Sequence, residues 1–287
     1  MAAFAPLLES KREEIAQSRK SFKYGETDRH QLDVYYPQAT GSLKKHPVLI
    51  YVYGGGFVSG ERRLPAPVDL GYGNLGLYFA KRGFVTIIPD YRLAPGTTFP
   101  GPVHDVRDAL IWVVAHPNDL GPDVDVDSVF IMGHSAGGVH TLTMLLHPPV
   151  LESAPALRAH IKGAAISCAP YHFEPAGVEF DLREPANMYY GSREAAKAHD
   201  PLGLLRAAPE GVLRALPPLA LIKCERDQDW LQVVAKDFDA AVADKGLVPS
   251  PAQIFAKGHN HISFSWALET GQGERWAEEL VAWMQSL

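Results

Sequence analysis

The chain has 287 residues, 46% of them hydrophobic and 21% charged, which is enough for one large folded domain or two small ones, and no linker favours two. A formal net charge of -6, with Lys and Arg scattered, predicts no nucleic-acid partner. No run of about 18 apolar residues predicts a membrane span. Met1 to Lys20 lacks the apolar segment of a signal peptide, and Cys168 and Cys224 end apolar runs, so we expect buried free thiols in a cytoplasmic protein.

The first half of the chain predicts a hairpin followed by alternating helices and strands. Residues 1–20 have helical spacing and predict an amphipathic helix that lies over a cleft. Residues 22–24 and 31–36 predict a hairpin at a sheet edge. Two apolar strands and two helices follow, at 47–53, 74–82, 84–88 and 102–115. Continuously apolar strands that alternate with helices are typical of a parallel sheet buried on both faces.

The stretch from Val129 to Leu146 combines a strand, a sharp turn and a helix. The turn reads Gly133-His134-Ser135-Ala136-Gly137, and the predicted helix begins at Val139. Glycines two residues before and after the serine allow the strand and the helix to approach closely. The pattern predicts that Ser135 is an exposed nucleophile; a glycine-rich turn with a helix-capping serine is the alternative.

The second half resumes the alternation after one interruption. Residues 168–208 are rich in proline, aromatic and charged residues, and they predict a cap above the sheet, or else a long surface connection. The alternating strands and helices lie at 161–166, 219–224, 230–245, 252–256 and 274–284. We therefore expect one domain, 1–287, with a cap formed by about 1–20 and 170–208.

A nucleophilic serine needs a base within hydrogen-bond reach and an acid that orients this base. In an open parallel sheet these groups lie in loops at the carboxyl ends of the strands. Asp227 and Asp229 follow the strand that ends at Cys224, and His259 and His261 follow the strand that ends at Ala256. A metal site at His-x-His lacks a nearby third ligand, so no metal is predicted.

Several motifs in order resemble the hormone-sensitive-lipase-like group of α/β-hydrolase esterases. They are Tyr53-Gly54-Gly55-Gly56-Phe57, Asp90-Tyr91-Arg92-Leu93-Ala94-Pro95, Gly133 to Gly138, Asp227 and His261. The family normally has His in place of Tyr53 and Asp in place of His134. The Gly-His-Ser-Ala-Gly form is also similar to that of the arylformamidases, which hydrolyse N-formylkynurenine. The resemblance implies an α/β-hydrolase fold: a mostly parallel sheet of about eight strands flanked by helices, with a small helical cap.

The resemblance also implies roles for particular residues. The spacing Glu-x-Asp selects Asp227 as the acid, and Gly-x-x-His selects His261 as the base for Ser135. Backbone N–H groups of Gly55, Gly56 and Ala136 are expected to form the oxyanion hole. Tyr53, Phe57 and His134 are assigned to substrate binding. Arg92 is expected to hold the glycine loop against the sheet.

The function that these roles imply is hydrolysis of short- to medium-chain or aryl carboxylic esters through an acyl-enzyme, without a cofactor or metal. Hydrolysis of a formamide is the first alternative. A non-catalytic ligand-binding protein on a hydrolase scaffold is the second, although such proteins commonly lose a member of the triad. The expected partner is a small ester or amide substrate, and family members are often homodimers.

Overall fold

A computed structural model describes residues 3–37 and 45–287 and contains one eight-stranded sheet, in the order β1-β2-β4-β3-β5-β6-β7-β8. The strands are β1 (Arg19–Lys23), β2 (Gln31–Tyr35), β3 (His46–Val52), β4 (Val85–Pro89), β5 (Val124–His134), β6 (Ile161–Ser167), β7 (Leu219–Cys224) and β8 (Ala252–Ala256). The pairs β1–β2 and β2–β4 are antiparallel, and every later pair in the order is parallel. The predicted fold class, with its hairpin at one edge, is confirmed.

Helices connect the strands and cover the sheet. They are α1 (Ala5–Leu8), α2 (Arg12–Gln17), α3 (Gly73–Ala80), α4 (Gly101–Ala115), α5 (Pro117–Leu120), α6 (Ala136–Leu146), α7 (Pro148–Leu151), α8 (Leu157–His160), α9 (Arg183–Tyr190), α10 (Arg193–His199), α11 (Pro201–Ala207), α12 (Glu210–Arg214), α13 (Asp229–Lys245), α14 (Ser263–Trp266) and α15 (Arg275–Gln285). The central strands are buried on both faces, as their continuous apolar sequence predicts: Val48 to Val52 of β3 are at most 1% exposed.

The helix after Ser135 begins at Ala136, three residues before the predicted start at Val139. Two other predicted boundaries are wrong for the same physical reason, which is pairing with a neighbouring strand. The N-terminal helix ends at Gln17 because Arg19 and Lys20 pair with Tyr35 and Val34 of the hairpin. Strand β5 starts at Val124, ahead of its continuous apolar part, because Val124 and Asp125 pair with His46 and Pro47 at the start of β3. Ladder hydrogen bonds outweigh the local pattern in both cases.

The N-terminal helices are anchored beside α3. Ile15 is only 2% exposed, and a Cβ placed on Gly73, at the start of α3, would lie 2.8 Å from its Cγ2. Arg12 forms an ion pair with Asp69 at 2.5 Å. These contacts place the segment beside α3, and its predicted share in the cap stays a prediction.

One buried amide joins α3 to the chain beyond β8. Nδ2 of Asn74, which has no exposed surface, donates to the carbonyl oxygens of Ser265 (2.8 Å) and Leu268 (2.9 Å). A buried carbonyl that loses its donor pays its full desolvation cost. The amide thus fixes the segment that carries α14.

We expect Asn74→Leu, which keeps the side-chain volume but removes the donor, to lower the free energy of unfolding by about 2 kcal/mol. Urea unfolding followed by circular dichroism measures this difference. The matched control is Asn187→Leu on the exposed face of α9, which should change stability by less than about 0.5 kcal/mol. Equal effects of the two substitutions would show that the buried amide has no special role.

Candidate active site

The turn at Ser135 is a strained elbow between β5 and α6. Ser135 has φ 52° and ψ -123°, and its backbone N–H donates to the carbonyl of Ser167 at 3.0 Å. A Cβ on Gly54 would lie 2.6 Å from Cβ of Ser135, and a Cβ on Gly137 would lie 2.0 Å from the carbonyl oxygen of Val52. These contacts leave room only for glycine, so the elbow is wedged between the ends of β3 and β6.

Asp227 and His261 form a pair beside this elbow. Nδ1 of His261 lies 3.2 Å from Oδ1 and 3.4 Å from Oδ2 of Asp227. The backbone N–H of Asp227 donates to the carbonyl of Cys224 (3.3 Å), and its Oδ1 accepts the N–H of Gln228 (3.0 Å). The ring centroid of His261 is 4.7 Å from that of His134, the residue before the serine. Loops at the carboxyl ends of β7 and β8 thus bring Asp227 and His261 together, and His261 packs against the residue before Ser135 at the end of β5.

The alternative acid and base lie elsewhere. Asp229 is exposed and begins α13. His259 is buried, its Nδ1 lying 3.1 Å from Oγ of Ser263 and its Nε2 lying 2.9 Å from the carbonyl of Gly273. Both of its ring nitrogens therefore have structural partners, and only His261 faces Asp227.

The two neighbouring histidines have opposite pKa shifts. Burial opposes the charge of His261, but the hydrogen bond with Asp227, supported by Cys168, outweighs burial and raises its pKa to about 9. Burial lowers the pKa of His134 well below the ordinary histidine value, and the nearby His261 lowers it further. His134 is therefore a neutral ring that packs between His261 and Phe264.

The glycine loop after β3 presents backbone donors. Gly55 and Gly56 have φ 140° and 59°, and within residues 3–37 and 45–287 their N–H groups donate to no acceptor. Ala136 begins α6, where the first N–H groups of a helix are free and favour negative charge. Cδ2 of Leu182, just before α9, would lie 3.3 Å from a Cβ on Gly56. The loop therefore faces the segment predicted to form the cap.

The residues assigned to substrate binding are all buried side chains. The Tyr53 hydroxyl donates to Oδ1 of Asp90 (2.6 Å) and accepts a hydrogen bond from Arg29 (2.9 Å), which gives this residue a structural role. The Phe57 ring stacks on Tyr189 of α9 with centroids 4.5 Å apart. Both ring nitrogens of His134 lack hydrogen-bond partners in the described part of the chain. The ring of His134 packs against His261. Substrate binding by Tyr53, Phe57 and His134 stays a prediction.

The role predicted for Arg92 is wrong. Its guanidinium binds the carboxylate of Asp105 on α4, with Nη2 at 2.6 Å and Nε at 2.9 Å from its oxygens. The glycine loop is held instead by Arg29, which donates to the carbonyl of Gly60 (2.7 Å), and by Arg62, which pairs with Asp90. Sequence reasoning missed both arginines, because each lies outside the motifs and reaches this network only in the folded chain.

The two cysteines are free and buried, as predicted. Their sulfurs are 3.0 Å apart, and Sγ of Cys168, one ring nitrogen of His261 and one carboxylate oxygen of Asp227 lie within 4.8 Å of one another. A thiolate, an imidazole and a carboxylate are all ligands that a borderline cation such as zinc accepts. Cys168 was not among the site residues predicted from the sequence. Its position directly after a predicted strand could have indicated that it lies at this edge of the sheet.

The relatives of known sequence are named as tuliposide-converting enzymes or as a probable carboxylesterase. The BD-FAE family matches residues 32–147. Tuliposide B-converting enzyme 1 of Tulipa gesneriana is 30% identical over 271 residues, 87% of this chain and 57% of that protein. Probable carboxylesterase 7 of Arabidopsis thaliana is 36% identical over 121 residues, 39% of this chain and 37% of that protein. The chain spans about half the length of the tulip enzymes that it matches.

Solved esterase structures share the fold at low sequence identity. Esterase B from Lactobacillus rhamnosis has a TM-score of 0.73 at 17% identity, covering 100% of this chain and 96% of that one. Thermogutta terrifontis esterase 2, phosphoramylated by tabun, has a TM-score of 0.68 at 21% identity, covering 94% of both chains. The sheet order, the elbow and these similarities show the α/β-hydrolase fold. The proteins similar to this chain include a probable carboxylesterase and several esterases, as the sequence motifs indicated.

We expect the imidazole of His261 to titrate near pH 9, and Asp227→Asn to lower its pKa below the ordinary histidine value because burial then acts without a counter-charge. Carbon-edited NMR of the histidine rings measures this shift, with the resonance assigned by its loss in His261→Gln. The ring of His134 should remain neutral across the same range. An unchanged titration of His261 in Asp227→Asn would exclude a functional pair.

Proposed function

We propose that the protein is a serine carboxylesterase that works through an acyl-enzyme on Ser135. The observation that carries this proposal is the Asp227–His261 pair, 3.2 Å from oxygen to nitrogen, next to a serine held at φ 52°. A serine hydroxyl is a poor nucleophile unless a correctly oriented base removes its proton. These residues supply the nucleophile, base and orienting acid of that reaction.

The mechanism assigns one step to each group. Nε2 of His261 accepts the Ser135 proton as Oγ attacks the ester carbonyl, while Asp227 holds the proton on Nδ1 and stabilises the imidazolium. His261 then gives its proton to the leaving alcohol, and it activates water to hydrolyse the acyl-enzyme. Because His261 acts as a base only when neutral and its pKa is raised, the rate should rise with pH above neutrality.

The oxyanion formed in each step needs preorganised donors. We assign this role to the N–H groups of Gly55, Gly56 and Ala136, which the left-handed loop and the start of α6 leave free. One lost donor in such a hole costs about 3 kcal/mol of barrier. Glycine suits the loop because a side chain at Gly56 would meet Leu182 where the substrate carbonyl must approach.

The proposed substrate is a short- to medium-chain or aryl ester. The segment after β6 packs aromatic rings on the glycine loop, with Phe57 against Tyr189 (4.5 Å) and Phe173 (5.7 Å). Apolar and aromatic walls with few polar groups select apolar ligand portions. The name of one relative, a probable carboxylesterase, agrees with an ester substrate.

The remaining assignments are proposals that rest on the sequence. We propose a reducing compartment such as the cytoplasm, because both cysteines are free thiols; some relatives are chloroplastic or amyloplastic. None of the helices in the described part of the chain is long and apolar enough to cross a membrane. The absence of a nucleic-acid partner follows from the net charge of -6, and a homodimer from the family resemblance alone.

Ser135→Ala should lower kcat/KM for p-nitrophenyl butyrate by at least about a hundredfold, because the remaining groups cannot form an acyl-enzyme. A fluorophosphonate probe should label the wild type and leave the variant unlabelled in intact-mass spectra. Ser286→Ala, at an exposed position in the last turn of the chain, is the matched control and should match the wild type in both measurements. Labelling that persists in Ser135→Ala, or a wild type that takes no label, would favour a non-catalytic binding protein.

A substrate panel separates the ester from the formamide alternative. We expect kcat/KM for p-nitrophenyl acetate to decanoate to peak at short or medium chains and to exceed that for N-formylkynurenine, because the aromatic wall at Phe57 favours compact apolar groups. Steady-state kinetics on purified protein gives these ratios. A marked preference for N-formylkynurenine would make the protein an arylformamidase.

A further inference from the structure

We propose that Cys168 and Cys224 form a reversible oxidation site, at which a small peroxide joins the two thiols in a disulfide and thereby slows the adjacent Asp227–His261 pair. Formation of the disulfide depends only on the two thiols. Its effect on turnover rests on the proposed function.

The two sulfurs are held close by the sheet. Cys168 directly follows β6, and its N–H donates to the carbonyl of Ile222 in the neighbouring strand at 3.0 Å. Cys224 is the last residue of that strand, β7. Its sulfur accepts a hydrogen bond from the Cys168 thiol, and the two sulfurs are 3.0 Å apart. Parallel strands in register thus fix the pair, and a disulfide requires the sulfurs to approach by only about 1 Å.

A cavity gives small molecules access to this pair. A cavity of about 540 Å³ is lined by both cysteines, Asp227 and three lysines, Lys223, Lys236 and Lys257. The thiolate is the form of a cysteine that reacts with peroxides. Burial and the contact with Cys224 raise the pKa of the Cys168 thiol well above its ordinary value. Because the Cys168 thiol also donates its hydrogen to Cys224, we assign Cys224 as the attacking sulfur and Cys168 as the one that resolves.

The chemistry balances with one equivalent of hydrogen peroxide. The Cys224 thiolate attacks one peroxide oxygen, the O–O bond breaks, and the departing hydroxide takes a proton to become water. The Cys168 sulfur then displaces hydroxide from the sulfenic acid of Cys224, forming the S–S bond and a second water. Two electrons pass from the sulfurs to the peroxide, and a dithiol returns them when it reduces the bond.

The cross-link would join the two strand ends that hold the backbones of Ser135 and Asp227. The Ser135 N–H donates to Ser167, the residue before Cys168, and the Asp227 N–H donates to the carbonyl of Cys224. Sγ of Cys168 also lies within 4.8 Å of a carboxylate oxygen of Asp227 and of a ring nitrogen of His261. Drawing the two strand ends together therefore shifts the acid relative to the nucleophile. A displacement of about 1 Å can cost a hundredfold in rate, so we expect at least about a tenfold loss.

The test compares each protein with its own reduced form. Wild type, Cys224→Ser and Cys168→Ser are treated with hydrogen peroxide, assayed with p-nitrophenyl butyrate, and assayed again after dithiothreitol. The wild type should lose about 2 Da in intact mass, lose at least tenfold of its activity, and recover with dithiothreitol. Each serine variant should lose less than twofold of its own reduced activity. Peptide mapping should place the disulfide between the two cysteines.

Three outcomes would overturn the proposal: no disulfide in the wild type, a disulfide that leaves turnover unchanged, or an equal loss of activity in Cys224→Ser. The mass and mapping results do not depend on esterase activity. If the reduced wild type proved inactive on every ester, the NMR titration of His261 would replace the assay. Peroxide treatment should then shift the His261 titration in the wild type but not in Cys224→Ser. An unshifted titration in the cross-linked wild type would overturn the proposed effect of the disulfide on the Asp227–His261 pair.

Discussion

The tight packing of the elbow against the glycine loop is the constraint on which the site depends. Cβ of Ser135 occupies the space in which any side chain at Gly54 would lie, and the start of α6 presses on the carbonyl of Val52. This packing holds the serine backbone at positive φ, a conformation that costs of order 1–3 kcal/mol for a residue with a side chain. The strain is tolerated because β3, β5 and β6 are buried and cannot relax independently.

The second constraint is the buried ion-pair network that supports the glycine loop. Asp90 at the end of β4 binds the Tyr53 hydroxyl and Arg62, and Arg29 from the hairpin reaches the Gly60 carbonyl and the same hydroxyl. A buried carboxylate needs such partners, because leaving it unpaired costs far more than the network gains. The network therefore couples the hairpin edge of the sheet to the loop that presents the free N–H groups.

Three side chains of different chemistry surround the imidazole of His261. His261 contacts the neutral ring of His134 on one side and the Asp227 carboxylate on another, and the thiol of Cys168 is close to both partners. An imidazole in this setting is oriented by the carboxylate and packed by a ring without charge. The position that hormone-sensitive-lipase-like esterases normally fill with Asp is occupied by His134 in this chain, and burial keeps that histidine neutral.

The sequence by itself determined the alternation of strands and helices and the elbow at Ser135, because periodicity and short motifs are local properties of the chain. The resemblance to esterases selected Asp227 and His261 over Asp229 and His259, and the folded chain places the two selected side chains in contact. Even so, the boundaries near Arg19 and Val124 were wrong, since pairing with distant strands set them. Only the tertiary structure decided that Arg29 and Arg62, not Arg92, hold the glycine loop, that Tyr53 is bound to Asp90, and that Cys168 lies against Cys224. These contacts join residues far apart in sequence, and the register of the folded sheet, which no local pattern encodes, brings them together.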